Sequence, residues 1–207
     1  MRFVIFGCGG FGRELLNPAI QMGALAGDLS EVVFASDFVD TPVIETPVIS
    51  PDDLSLSDVM VIALGDPATR RSVAQRFSHI PAGRLVAPSA IIGPDVELGE
   101  GAILCDYTMI TASARIGRHF HSNIYSYVAH DCVIGDFVTF APRVCCNGRV
   151  HIEDGAYIGT GVVIREGTPD KPTVIGAGAV VGAGSVVIKD VPPGMTVVGI
   201  PAKPIDR

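Results

Sequence analysis

The chain has no tryptophan, only 6% aromatic and 18% charged residues, and no stretch free of glycine and charge that reaches the roughly 18 apolar residues of a membrane span. That last lack predicts a soluble protein without membrane insertion. Basic residues are scarce too: 15 Lys and Arg stand against 22 Asp and Glu, a formal charge of −7, with no Lys or Arg run. Nucleic acid and anionic membrane are therefore not expected partners. None of the five cysteines, Cys8, Cys105, Cys132, Cys145 and Cys146, is in CxxC spacing, and the odd count argues for reduced thiols in a cytoplasmic protein. The apolar run Phe3 to Phe6 is too short for an export signal and reads as a first strand.

What the chain has in quantity is glycine, 24 residues, and two different rhythms. Up to about residue 82, strand-like and helix-like segments alternate. "RFVIF" is followed by the glycine loop "GCGGFG" and a helical stretch from Arg13 to Met22 bent at Pro18. "VVFAS" and "DVMVIAL" are further strands, and "PATRRSVAQRF" is a helix with Pro67 in its first turn. This alternation predicts a small Rossmann-like α/β domain with a parallel sheet, residues 1–82.

From Val86 onward every sixth residue is apolar through Ile92, Leu98, Leu104, Ile110 and Ile116 to Val128, Ile134, Phe140, Cys146, Ile152, Ile158 and Ile164, with Ser122 the one polar exception. Glycine often follows at once, as at 93, 99, 117, 135 and 159, and the residue four beyond is mostly small or β-branched. A period of six predicts a parallel β-helix over 83–193, three hexads to a coil, with the apolar position in a narrow shaft. The polar, proline-bearing "REGTPDKPTV", residues 165–174, breaks the count and should be extruded as a loop. Ile175, Val181 and Val187 then resume the rhythm, and residues 194–207 form a tail.

Eighteen residues per coil stack His130 about 4.8 Å from Ala112 on one side and Gly148 on the other. Two positions after the inward Val128, the imidazole should point outward beside small neighbours. Acyl transfer from a thioester needs a base and a donor for the developing oxyanion. His130 suits the first role and the Gly148 N–H the second. Arg149 stacks on Asp131, so an ion pair explains that carboxylate as well as a helper role does. Cys145 and Cys146 do not suit a covalent acyl-enzyme: Cys146 takes an inward slot and neither has a base expected nearby. His119, His121 and His151 are expected on turns, and His79 in the link between the two halves.

The order of parts, "GCGGFGRE", then repeats carrying "AHDCVIGD", then "VPPGMTVVGIPAKPI", resembles the bacterial hexapeptide-repeat sugar acyltransferases. These include sialic acid O-acetyltransferases and UDP-4-amino-sugar N-acetyltransferases. The resemblance covers nearly the whole chain. It implies a left-handed β-helix, a homotrimer with sites in clefts between subunits, and acetyl-CoA as donor. His130 falls on the family's catalytic base, Asp131 on its acidic helper, Asn123 on a polar partner, and Gly148 on an acetyl-CoA contact. Further contacts to that co-substrate are implied at Thr139, Thr160, Ala183 and Lys203. In the first domain Gly9, Gly10, Phe11 and Gly12 should hold the phosphates of a nucleotide-sugar, and Asp37 its base. Ser36 stands where the family has the first of an acidic pair; Phe11 and Thr139 stand where relatives have histidine.

The function expected is acetyl transfer to the amine of a nucleotide-linked amino sugar in surface-glycan synthesis. The alternatives are O-acetylation of a sugar hydroxyl as in sialic acid, a zinc-dependent lyase like the gamma-type carbonic anhydrases, and a dinucleotide sensor. The zinc fold needs two histidine ligands five apart, a pair absent here, so no metal is expected. The glycine loop lacks a further acidic pattern for NAD.

Overall fold

A computed structural model describes residues 2–26, 31–38 and 43–205. Strand β1 (Arg2–Phe6) is the inner strand of a four-stranded parallel sheet, with β2 (Glu31–Ala35) and β3 (Val48–Ile49) on one side and β4 (Asp58–Ile62) on the other. Helix α1 (Gly10–Ala26) starts inside the glycine loop, three residues before the expected Arg13, and runs through Pro18. The turn that feeds it needs two glycines for different reasons. Gly7 has φ +103°, a conformation only glycine takes easily, whereas a Cβ on Gly12 would strike the Gly7 carbonyl. Helix α2 (Pro67–Arg76) is capped by the Asp66 carboxylate, which accepts from the Thr69 N–H at 2.6 Å; this bond holds its pKa below the usual range.

The remainder is a parallel β-helix of two- and three-residue strands on three faces. The first face stacks Leu85–Val86, Ile103–Leu104, His121–Ser122, Thr139–Phe140, Tyr157–Ile158, Val180–Val181 and Thr196–Val198, closed by the antiparallel Lys203–Pro204. The second stacks Ile91–Ile92 to Val186–Val187, the third Glu97–Leu98 to Thr173–Ile175. Partners lie 18 residues apart, as in Tyr127↔Cys145, until Ile152 pairs with Ile175, so the chain between Ile164 and Thr173 is extruded; Thr173 and Val174, expected in the loop, are strand residues because they pair with Val150 and His151. Inward residues such as Val128, Ile134, Cys146 and Ile158 are fully buried in one continuous core. Ser122 is buried beside Leu104 and Phe140, and Phe120 packs edge-on to Phe140 at 5.1 Å.

The repeat glycines do a job the period alone does not reveal. Those at 93, 99, 117, 135 and 159 are where successive coils touch, and a Cβ there would meet the next coil's backbone. The left-handed conformation falls two residues later, on Asp95, Gly101, Tyr107, Ser113, His119, Tyr125, Asp131, Phe137, Arg143 and Arg149, mostly not glycine. Each corner is thus held left-handed by the stacked coils on either side.

The sheet domain covers the upper part of the first face: Leu85, Ile103 and Cys105 share a core with Phe3, Ile5, Leu15 and Phe34. Arg70 of α2 is completely buried in this seam. It donates to the carbonyls of Leu64 (2.7 Å), Gly65 (3.3 Å), His119 (3.1 Å), Phe137 (2.9 Å) and Val138 (3.3 Å), and to Thr139 Oγ1 (2.9 Å). Burial lowers its pKa to about 9 against the pull of Asp66, which leaves it charged at neutral pH. No helix among the described residues is long and apolar enough to cross a membrane.

Candidate active site

Residue 130 lies where the second face turns into the third. Left-handed Asp131 at that corner swings its carboxylate back along the chain, and Asp131 Oδ2 accepts from His130 Nδ1 at 2.8 Å. A carboxylate only accepts, so Nδ1 carries the proton, and in the neutral ring Nε2 presents its lone pair. The imidazole is 46% exposed and lies over Gly148, where a Cβ would sit 2.7 Å from Cε1 and 2.8 Å from Nε2. Gly148 is therefore kept for space. Its N–H makes no hydrogen bond among the described residues and stays available to a ligand oxygen.

Arg149 reaches both sides of this corner. Its Nη2 is 3.4 Å from Asp131 Oδ2, and its Nη1 donates to Glu166 Oε1 at 2.8 Å. Asp131 accordingly holds the imidazole and pairs with the arginine at once. Glu166, which the sequence reading passed over, places Oε1 3.9 Å from His130 Nε2. The signal was present: continuing the column Ala112, His130, Gly148 by one more coil gives residue 166.

Asn123 and the expected co-substrate contacts Thr139, Thr160 and Ala183 lie elsewhere, on the first face and the corner between it and the second. Asn123 Oδ1 accepts from the Ile124 N–H at 2.7 Å. Thr160 and Ala183 are exposed and stack there, the Gly184 N–H donating to the Thr160 carbonyl at 2.8 Å. Thr139 is buried, its hydroxyl donating to the Gly65 carbonyl at 2.9 Å while accepting from Arg70. With Phe11, Gly65, His121 and Tyr157, residues Asn123, Thr139 and Thr160 line a cavity of about 190 Å³. Lys203 is exposed on the closing strand. Within one chain the site residues thus form two columns at opposite ends of the second face, His130 with Asp131 and Gly148 at one end, Asn123 with Thr160 and Ala183 at the other.

The histidines expected on turns need correction. His121 and His151 are strand residues at outward positions of the first and third faces, because the position before each inward Ser122 or Ile152 is in the strand; only His119 is at a corner. His121 is buried under Phe11, ring centroids 5.4 Å apart, with neither ring nitrogen hydrogen-bonded; the Ile62 carbonyl is near but poorly aligned. Burial first, then Arg70, drives its pKa well below the usual histidine range. Cys146 is buried against Cys132, and that contact and burial push its thiol pKa well up, away from a nucleophilic thiolate.

In the first domain Gly9 and Gly10 are exposed at the start of α1, and a Cβ on either would meet open space. Asp37, just after β2, pairs with Arg76 at 3.0 Å on the rim of an open groove of about 580 Å³ lined by Ser36, Phe38, Ser50 and Asp52.

The PglD N-terminal domain family matches residues 2–77. The GDP-perosamine N-acetyltransferase of Escherichia coli O157:H7 is 41% identical over 213 residues, covering 98% of this chain and 96% of its own. The chain belongs to the PglD-like family of hexapeptide-repeat sugar acyltransferases. Its β-helix is the left-handed one of that family. WeeI from Acinetobacter baumannii AYE superposes with a TM-score of 0.94 at 42% identity, over 99% of this chain and all of that one. PerB from Caulobacter crescentus, crystallised with CoA and GDP-perosamine, superposes with a TM-score of 0.87 at 27% identity, over 100% of this chain and 98% of that one. This PglD-like chain thus matches both relatives from end to end, sheet domain and β-helix together.

Proposed function

We propose that the protein transfers the acetyl group of acetyl-CoA to the amine of a nucleotide-linked amino sugar, with GDP-perosamine as the acceptor. One observation carries this reading: a half-exposed imidazole whose Nδ1 is held by a carboxylate and whose Nε2 faces a groove over a residue without a side chain. In that setting Nε2 takes a proton from the attacking nitrogen as the N–C bond forms at the thioester carbonyl. The oxyanion is met by the Gly148 N–H. Collapse breaks the C–S bond, and the thiolate takes the proton back from the imidazolium and leaves as CoA. Asp131 orients the ring and stabilises its charged form.

Acetyl-CoA is assigned to Gly148, Thr139, Thr160, Ala183 and Lys203, with Asn123 as the polar partner beside the thioester. Gly9, Gly10, Phe11 and Gly12 at the start of α1 are assigned to the pyrophosphate, and Asp37 to the nucleobase. Purified protein with acetyl-CoA and GDP-perosamine is expected to release CoA in step with an acetamide-bearing nucleotide sugar, followed by thiol titration and mass spectrometry. Acetylation of a sialic acid hydroxyl with the amino sugar left untouched overturns the reading.

The working form is assigned as a homotrimer in the cytoplasm, where acetyl-CoA is made and the five free cysteines stay reduced. One feature supports the trimer. The outward residues of the second face, Ile91, Met109, Tyr127, Cys145, Val163 and Val186, form an apolar strip, with Ile91 55% and Met109 38% exposed. The His130 column and the Asn123 and Thr160 column border that strip on either side, so copies packed along it would bring the two together. Light scattering is expected to give three times the chain mass; a monomer at micromolar concentration sinks the assignment.

A further inference from the structure

Two carboxylates flank the His130 imidazole, and the function proposed above uses only the first. Asp131 sits on Nδ1 at 2.8 Å; Glu166 Oε1 stands 3.9 Å from Nε2, at the root of the extruded segment. Arg149 ties them together, 2.8 Å from Glu166 and 3.4 Å from Asp131. The segment is fastened to the same coil by its backbone, the Gly167 N–H donating to the Gly148 carbonyl at 3.0 Å and the Thr173 N–H to the Arg149 carbonyl at 3.2 Å. Glu166 is thus a placed group at this site, although its side chain is 52% exposed.

The gap between Glu166 and Nε2 is too long for a hydrogen bond between them, and a nitrogen seated there lies within reach of both. With His130 neutral, two carboxylates and one guanidinium leave the corner with one net negative charge. A hydroxyl gains little from that charge, whereas an ammonium gains a charge-assisted hydrogen bond. A sugar amine at neutral pH is largely ammonium and must lose a proton before it can attack.

We propose that Glu166 binds the acceptor amine in its ammonium form beside His130 Nε2, and is the residue that makes the enzyme select amines over hydroxyls. This rests on the amine-acetylation reading. The ammonium gives one proton to solvent, and the freed lone pair attacks the thioester carbonyl while Nε2 takes the second proton. The C–S bond breaks, and the thiolate takes that proton from the imidazolium. The sum is ammonium plus acetyl-CoA giving amide, CoA thiol and one proton.

Glu166→Gln separates this from a merely structural ion pair, because glutamine keeps an oxygen for Arg149 and loses only the charge. Among the described residues the charged or titratable groups facing Glu166 are His130 and Arg149, with Asp131 behind them. Wild-type turnover of GDP-perosamine is measured first, so its absence counts against the proposed function and not against Glu166. With turnover in hand, the variant is expected to raise KM for GDP-perosamine about tenfold, with kcat and the KM for acetyl-CoA little changed. The defect should be deepest at low pH and shrink as pH rises through the titration of the sugar amine, since a neutral amine gains little from a carboxylate. An unchanged KM, or a loss equal at every pH, overturns the proposal.

Discussion

His130→Asn is expected to lower turnover of GDP-perosamine by about 10² or more while the thermal midpoint stays at the wild-type value. The side chain is half exposed and fills no part of the core, so nothing but its chemistry is lost. Asparagine still reaches Asp131 and cannot accept the proton that Nε2 takes. Gly148→Ala is a companion test through geometry. The new methyl would press on Cε1 and Nε2, and the ring, the softer partner, must swing aside. An imidazole displaced by about 1 Å keeps its basicity and loses its aim, so the rate should fall at least about tenfold with unchanged stability. Wild-type rates in His130→Asn would remove the general-base assignment. A normal rate in Gly148→Ala would remove the claim that the ring must lie over that rung.

The largest effect on stability is expected at the opposite end of the molecule's chemistry. Arg70→Met replaces a wholly buried guanidinium with an apolar chain of similar length and leaves five carbonyls and the Thr139 hydroxyl without their shared donor. A buried acceptor left without a donor costs about 1–3 kcal/mol, so several such oxygens together cost a few kcal/mol. For a chain of this size the midpoint should drop on the order of 10 °C. Calorimetry checks it, and a drop under about 2 °C would show that water replaces the guanidinium without penalty. Because Arg70 touches both halves, the loss should appear as sheet domain and β-helix parting from each other, seen as early proteolysis between residues 77 and 85.

How far the sequence could be read follows from where its rhythm holds. The hexad period gave the β-helix, the inward residues and the stacking of His130 on Gly148, because each coil repeats one local geometry. The same period gave the loop after Ile164, ran it two residues too far into Thr173 and Val174, and lost Glu166 in it, since a broken count no longer says which residue lies beneath which. Arg70 was hidden for a different reason: it serves carbonyls from loop, corner and strand, and a seam between two unlike halves has no period. His121 was placed on a turn because the outward strand position next to a polar shaft residue looks like one. That the site residues part into two columns follows from the same stacking, which sets Asn123 after His121–Ser122 and His130 after Tyr127–Val128, at two different corners.

The bulge after Ile164 leaves the rungs above and below it in step, Ile152 on Ile175 and Ile164 on Val187. Beyond the bonds that fasten Gly167 and Thr173 to the coil, chain can be added there without disturbing that stacking. With Glu166 at its base, that freedom makes the bulge an interchangeable head on a fixed handle, through which such a scaffold can change customers while keeping its engine.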